Sequence, residues 1–190
     1  VPPLALSFDK KVAFYTSWRS LAAAVLIVSP VYIVWDIIVT GRGHWGFNPQ
    51  YAGPGVLMDL PLGEILFFLA VPYASIFVYE VVRAYVKPKR LFSSVASIAI
   101  SSAAAVVFLL LGILFSGTAY TMLAFFSVAL FFLVALVTDR AMLTELHTWL
   151  YFAVSYITFL VVNGILTGLP IVVYGEAATT GIRVATIPIE

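Results

Sequence analysis

Long uncharged, apolar stretches separated by short charged segments set the pattern of this chain. A bilayer hydrocarbon core about 30 Å thick takes roughly 20 apolar residues per helix, and on that measure five spans emerge. The first runs from about Ser20 to Val39, with Pro30 inside it and Asp36 near its end. The second runs from about Pro61 to Val82, with Glu64 and Glu80 near its two ends. Leu91 to Thr138 carries no charge at all and is too long for one helix. The Ser116-Gly117-Thr118 turn divides it into a tight hairpin of two spans. The fifth span covers about Thr148 to Leu166, and Pro188 fits the first turn of a further helix. Val1 to Ser7 fits the tail of an earlier span, so the expectation is a piece of a longer polypeptide. The predicted fold is all-α, a polytopic bundle of membrane helices.

Composition agrees with a membrane protein: of 190 residues, 63% are hydrophobic and only 10% charged, against roughly 25% charged in soluble domains. Ten Lys and Arg against nine Asp and Glu leave a formal charge of +1, which argues against nucleic acid as a partner. With no cysteine, thiolate metal sites and a cysteine nucleophile are excluded, and His44 and His147 alone make a poor metal site, so no metal is expected. The basic residues are unevenly placed. Lys10, Lys11, Arg19, Arg83, Lys87, Lys89, Arg90 and Arg140 fall at one end of the spans, and Arg42 and Arg183 at the other. Cytoplasmic loops hold the excess of Lys and Arg, so the first set is assigned to the cytoplasm.

Laying the stretch that begins at Asp36 over the stretch that begins at Asn163 reveals an internal repeat. Asp36, Thr40 and Gly41 fall over Asn163, Thr167 and Gly168, Phe47 over Tyr174, and Leu60-Pro61-Leu62 over Ile187-Pro188-Ile189, all without a gap. The expected division is 1–90 for the first repeat and 91–190 for a second, cut short at its last helix. The first and fifth spans run in the same direction, which makes the repeats parallel about an axis along the membrane normal.

Ionisable groups at membrane depth are costly and mark function by default. Asp36, Glu64 and Glu190 converge on the outer layer of this topology and are the candidate catalytic residues. Helix dipoles also favour an acid in a first turn, which is the ordinary reason for Glu64 and Glu190 to stand behind Pro61 and Pro188. The loop after the first span holds a formal G-x-G-x-x-G in Gly41, Gly43 and Gly46, but it follows a membrane helix and no helix opens behind it. A dinucleotide cofactor is therefore not expected. The same loop brings Trp45, Phe47 and Tyr51 beside the acids. These are either interfacial belt residues or a substrate-binding wall of ring faces that stabilises a transient cation, worth about 2 kcal/mol or more each when desolvated. The Phe67-Phe68, Phe125-Phe126 and Phe131-Phe132 pairs are expected to face lipid or neighbouring helices.

Taken together, these residues resemble the integral-membrane lycopene cyclase domain of archaea, some bacteria and fungi. The resemblance lies in a helix start reading apolar-Pro-apolar-Glu-Glu and in its duplication. Here the first copy is Leu60-Pro61-Leu62-Gly63-Glu64, followed by the apolar Ile65-Leu66-Phe67-Phe68, and the second begins Ile187-Pro188-Ile189-Glu190. Trp35-Asp36 and His44-Trp45-Gly46-Phe47 belong to it as well. Gly63 departs from the motif, standing where the first of two glutamates belongs. The resemblance implies a cofactor-free isomerase in a prokaryotic cell membrane that closes the ends of lycopene, its lipophilic substrate, into β-ionone rings. Glu64, Glu190 and Asp36 would handle the proton, with Glu190 the favoured donor. Other carotenoid enzymes are then the natural partners. The competing readings are an ion-coupled membrane transporter and a non-catalytic membrane subunit of a carotenoid enzyme complex.

Overall fold

The computed structural model describes residues 2–190. Five helices among them are long and apolar enough to cross a membrane, and the chain is a multi-pass membrane protein. A short helix α1, Pro2–Leu6, leads through a 3-10 turn at Phe14–Ser17 into α2, Trp18–Gly41. Strand β1, Trp45–Phe47, the one-turn helix α3, Pro49–Ala52, and the hairpin of β2, Gly55–Leu57, and β3, Leu60–Pro61, then lead into α4, Leu62–Tyr85. Helices α5, Ser94–Leu114, and α6, Ala119–Thr138, form the expected hairpin. After a 3-10 turn at Met142–Thr144 come α7, Leu146–Gly168, and strand β4, Val172–Tyr174. The hairpin of β5, Arg183–Val184, and β6, Ile187–Pro188, follows. Pro188 thus lies in a strand rather than in a helix. In the first copy the equivalent Pro61 ends β3 immediately before α4.

Helix ends explain how the outer loops are aimed. Arg42 closes α2 and Gly43 takes φ +73°, the left-handed conformation glycine adopts without strain. That turn lets His44 N–H reach Val39 O at 3.0 Å and Gly43 N–H reach Thr40 O at 2.9 Å, so the chain reverses directly into β1. At the end of α7 Pro170 replaces the glycine, and the longer bond is kept by Ile171 N–H to Leu166 O at 2.8 Å.

Strands β1 and β4 pair antiparallel with Trp45 opposite Tyr174, Gly46 opposite Val173 and Phe47 opposite Val172. Gly46 and Val173 are also equivalent positions of the two copies, so the local two-fold axis of the repeat passes between them. Two flanking bonds obey the same operation, Asn48 N–H to Ile171 O at 3.0 Å and Gly175 N–H to His44 O at 2.8 Å. Both α2 and α7 therefore end at this clasp, as parallel repeats require. At the opposite end, Arg90 bridges to Glu145, with Leu146 N–H on Lys89 O at 2.9 Å and Leu91 N–H on Thr144 O at 2.7 Å. These bonds bring the basic segments after α4 and before α7 to one layer.

Burial is sparse because most apolar side chains face outward, as they do in lipid. One small core, Phe14, Leu21 and Phe77, ties the start of α2 to α4. Near it Tyr73 OH meets Ser7 Oγ at 2.6 Å and accepts from Trp18 Nε1 at 3.1 Å. Helices α5 and α6 pack through small buried residues, Ser97, Ser101, Ala105 and Gly112 against Ala129 and Ala135, the usual way helices approach closely without a hydrophobic driving force.

Candidate active site

The clasp roofs a cavity of about 190 Å³ at the outer end of α2, α4, α6 and α7. Glu64, in the first turn of α4, lines it. It is the one carboxylate among the lining residues, and no Lys or Arg lines the cavity. Aromatic rings make most of the remaining wall. Trp45 stands edge-on to Trp35 and to Tyr120, each at 5.2 Å between centroids, and Tyr120 stacks on Tyr174 at 5.8 Å. Phe67 and Phe68 meet edge to face at 5.7 Å, and Ser29 Oγ donates to Phe68 O at 2.7 Å, tying α2 to this wall of α4.

The predicted residues fall at different depths. Trp45, Phe47 and Glu64 line the cavity. Asp36 is fully buried behind the wall, its Oδ1 accepting from Trp45 Nε1 at 2.9 Å and from Thr40 Oγ1 at 3.2 Å. It therefore fixes the plane of the indole. Glu190 is outside the lining; its Oε1 accepts from Thr121 Oγ1 and from Thr180 N–H, both at 2.6 Å. Tyr51 sits on α3, 52% exposed and outside the lining. Around Gly63 a Cβ would meet nothing within 4 Å, so the departure from the Glu-Glu motif is not a steric requirement.

Of the phenylalanine pairs, Phe67 and Phe68 face neighbouring helices and also line the cavity, and Phe68 stacks on Tyr32 of α2 at 6.1 Å between centroids. Both stand one turn below Glu64 on α4, close enough to share the interior face with it. Tyr120 and Asn163 complete the wall. Asn163 is the counterpart of Asp36 in the repeat, whereas no local sequence pattern singles out Tyr120. Burial, reinforced by the nearby Glu64 carboxyl, pushes the Tyr174 phenol above its ordinary range, so the cavity roof presents a neutral hydroxyl. Among the described residues no cluster of three His, Cys, Asp or Glu side chains could hold a metal ion.

A family model described as lycopene cyclase matches residues 1–82 and 117–190, most of the chain in two segments. The chain belongs to the lycopene cyclase family. Comparison with curated proteins and with solved structures gave no match. Family membership and the apolar helices fit a lipophilic carotenoid substrate, and membership supports a role in carotenoid cyclisation as an isomerase-type enzyme. The two matched segments agree with the tandem arrangement of the elements.

Proposed function

We propose that this chain closes the acyclic ends of lycopene into β-ionone rings by proton-initiated cyclisation, with Glu64 as the proton donor. The observation that carries the reading is the place of Glu64 as the one carboxylate in a wall made mostly of aromatic rings. The Glu64 proton adds to the terminal trisubstituted double bond and leaves a tertiary cation. An internal double bond attacks that cation, forming the ring bond and a new cation within it. The Glu64 carboxylate then removes a proton beside this second cation, setting the ring double bond and restoring the acid. Product and substrate have the same formula and no electrons are exchanged, so the step calls for no redox cofactor. The faces of Trp45, Phe67 and Tyr120 stabilise the cation and keep water from capturing it.

Asp36 acts in this reading as the residue that positions Trp45, and Glu190 as a brace between α6 and the loop at Thr180. The division into repeats 1–90 and 91–190 and a prokaryotic cell membrane belong to the same proposal. An ion-coupled carrier fits less well, because such carriers bind near the membrane midplane and this cavity lies at the outer end of the helices.

Glu64→Gln keeps the size and hydrogen bonding of the side chain and removes the transferable proton. In a lycopene-producing host, the parent is expected to accumulate cyclic carotene, while Glu64→Gln leaves acyclic lycopene at equal protein level. Cyclic product at the parental rate from Glu64→Gln would remove Glu64 as donor.

A further inference from the structure

Below the outer cavity a second and larger space of about 730 Å³ opens between α4 and α7. The two spaces share Phe67, Phe159 and Val162, which form a threshold between them rather than a floor. From Phe67 to Val78 on α4, and from Val162 back to Tyr151 on α7, the groove follows both helices inward. At 1.5 Å per residue that is roughly 16 Å, about half of the hydrocarbon thickness. Ala74 and Ser75 keep its middle open. On the α7 side Tyr156 and Phe159 are 61% and 50% exposed, so the groove is open laterally toward lipid.

Size separates the roles of the two spaces. The outer cavity, at about 190 Å³, is below the roughly 300 Å³ of pockets that enclose a drug-sized molecule, so it has room for one end group of a long polyene and no more. The rest of such a chain needs a continuous apolar bed, and the groove begins where the cavity ends. We infer that the α4/α7 groove binds the unreacted length of the polyene, which enters sideways from the bilayer and presents one end group at a time to Glu64. This rests on the cyclase reading above.

Ala74→Trp places a ring in the middle of the groove, about two helical turns below Phe67. Ser155→Phe does the same from the opposite wall, and Leu110→Trp adds bulk on the lipid-exposed face of α5 as a control. Lycopene binding to the purified chain in detergent is read by the induced circular dichroism of the bound polyene, which needs no ring formation. Melting temperature selects the variants that are folded. Either groove variant is expected to weaken lycopene binding about tenfold, the loss a large side chain causes in a fitted space. A truncated polyene with the same acyclic end, too short to pass the threshold, should bind both groove variants as it binds the parent. Leu110→Trp should change neither. Parental lycopene binding by both groove variants would overturn the inference and leave the groove to a lipid acyl chain, as would equal loss of the long and short polyenes. If the groove variants lose lycopene binding while the parent forms no cyclic carotene, the groove stands and the cyclase reading fails. If both groove variants cyclise lycopene at the parental rate, the cyclase reading stands and the groove assignment fails.

Discussion

His44 shows how a residue's chemistry is set by the clasp it helps to build. Its side chain is 8% exposed, Nδ1 is buried without a hydrogen-bond partner, and its carbonyl receives Gly175 N–H. Burial, reinforced by the Arg42 charge, holds the imidazole below its ordinary range. The folded protein therefore takes up this proton less readily than the unfolded chain does. Above the ordinary imidazole pKa both states are neutral and the protein keeps its full stability. As the pH falls through that value the unfolded state protonates first, and stability is lost until the folded state protonates as well. The melting temperature of the parent should thus fall more between about pH 7 and about pH 5 than that of His44→Phe. Identical pH dependence in the two proteins would show that His44 carries no such linkage. At this scale residue type and repetition made Glu64, Asp36 and Trp45 legible in the sequence. Tyr120 and Phe67 were not legible as wall residues, because their place depends on helix rotation and on a strand pair joining Trp45 to Tyr174, far apart in the chain. The preference for Glu190 over Glu64 came from the motif's missing glutamate; the cavity wall, which favours Glu64, exists only in three dimensions.

Elements were legible in proportion to how strongly the solvent dictates them. A bilayer forces each spanning segment to satisfy its own backbone, so long apolar runs predict helices, and all five were found within a few residues of the expected bounds. The outer strands are two or three residues long and carry no usable period, so the loops read as irregular. Their register depends on close approach at one point. A Cβ on Gly175 would press into the carbonyl oxygen of Gly43, a backbone atom that cannot swing aside. Gly175→Ala should therefore part β1 from β4 and destabilise the fold by about 1–3 kcal/mol. Gly117→Ala is the control, since a Cβ there meets nothing within 4 Å. Thermal melting of the two variants in the same detergent measures the difference, and equal melting temperatures would mean that the clasp tolerates the methyl group.

At the scale of the whole molecule, the two segments that match the family, 1–82 and 117–190, meet at the clasp of β1 and β4, with α5 in the stretch between them. The offset that lays Asp36 on Asn163 was visible in the sequence; that Gly46 and Val173 meet on the axis was not, because no local pattern encodes which loops pair. The fold gives the basic residues a direct consequence for sidedness. The α2 helix spans roughly 36 Å from the layer of Arg19 to that of Arg42. The bridge from Arg90 to Glu145 gathers the basic segments at the end opposite the clasp. Eight of the ten Lys and Arg lie toward that end and two beside the clasp, so the excess predicts that the clasp and the Glu64 cavity face the outer side of the membrane. The chain has no cysteine, so a single introduced thiol reports without background. Lys89→Cys and Gln50→Cys, both at exposed positions, should react with a membrane-impermeant maleimide from opposite sides of sealed vesicles, Gln50→Cys from the outside. Reaction of both from one side would contradict the parallel arrangement of α2 and α7. Reaction from opposite sides in the reverse sense would keep the fold and place the Glu64 cavity at the cytoplasmic face.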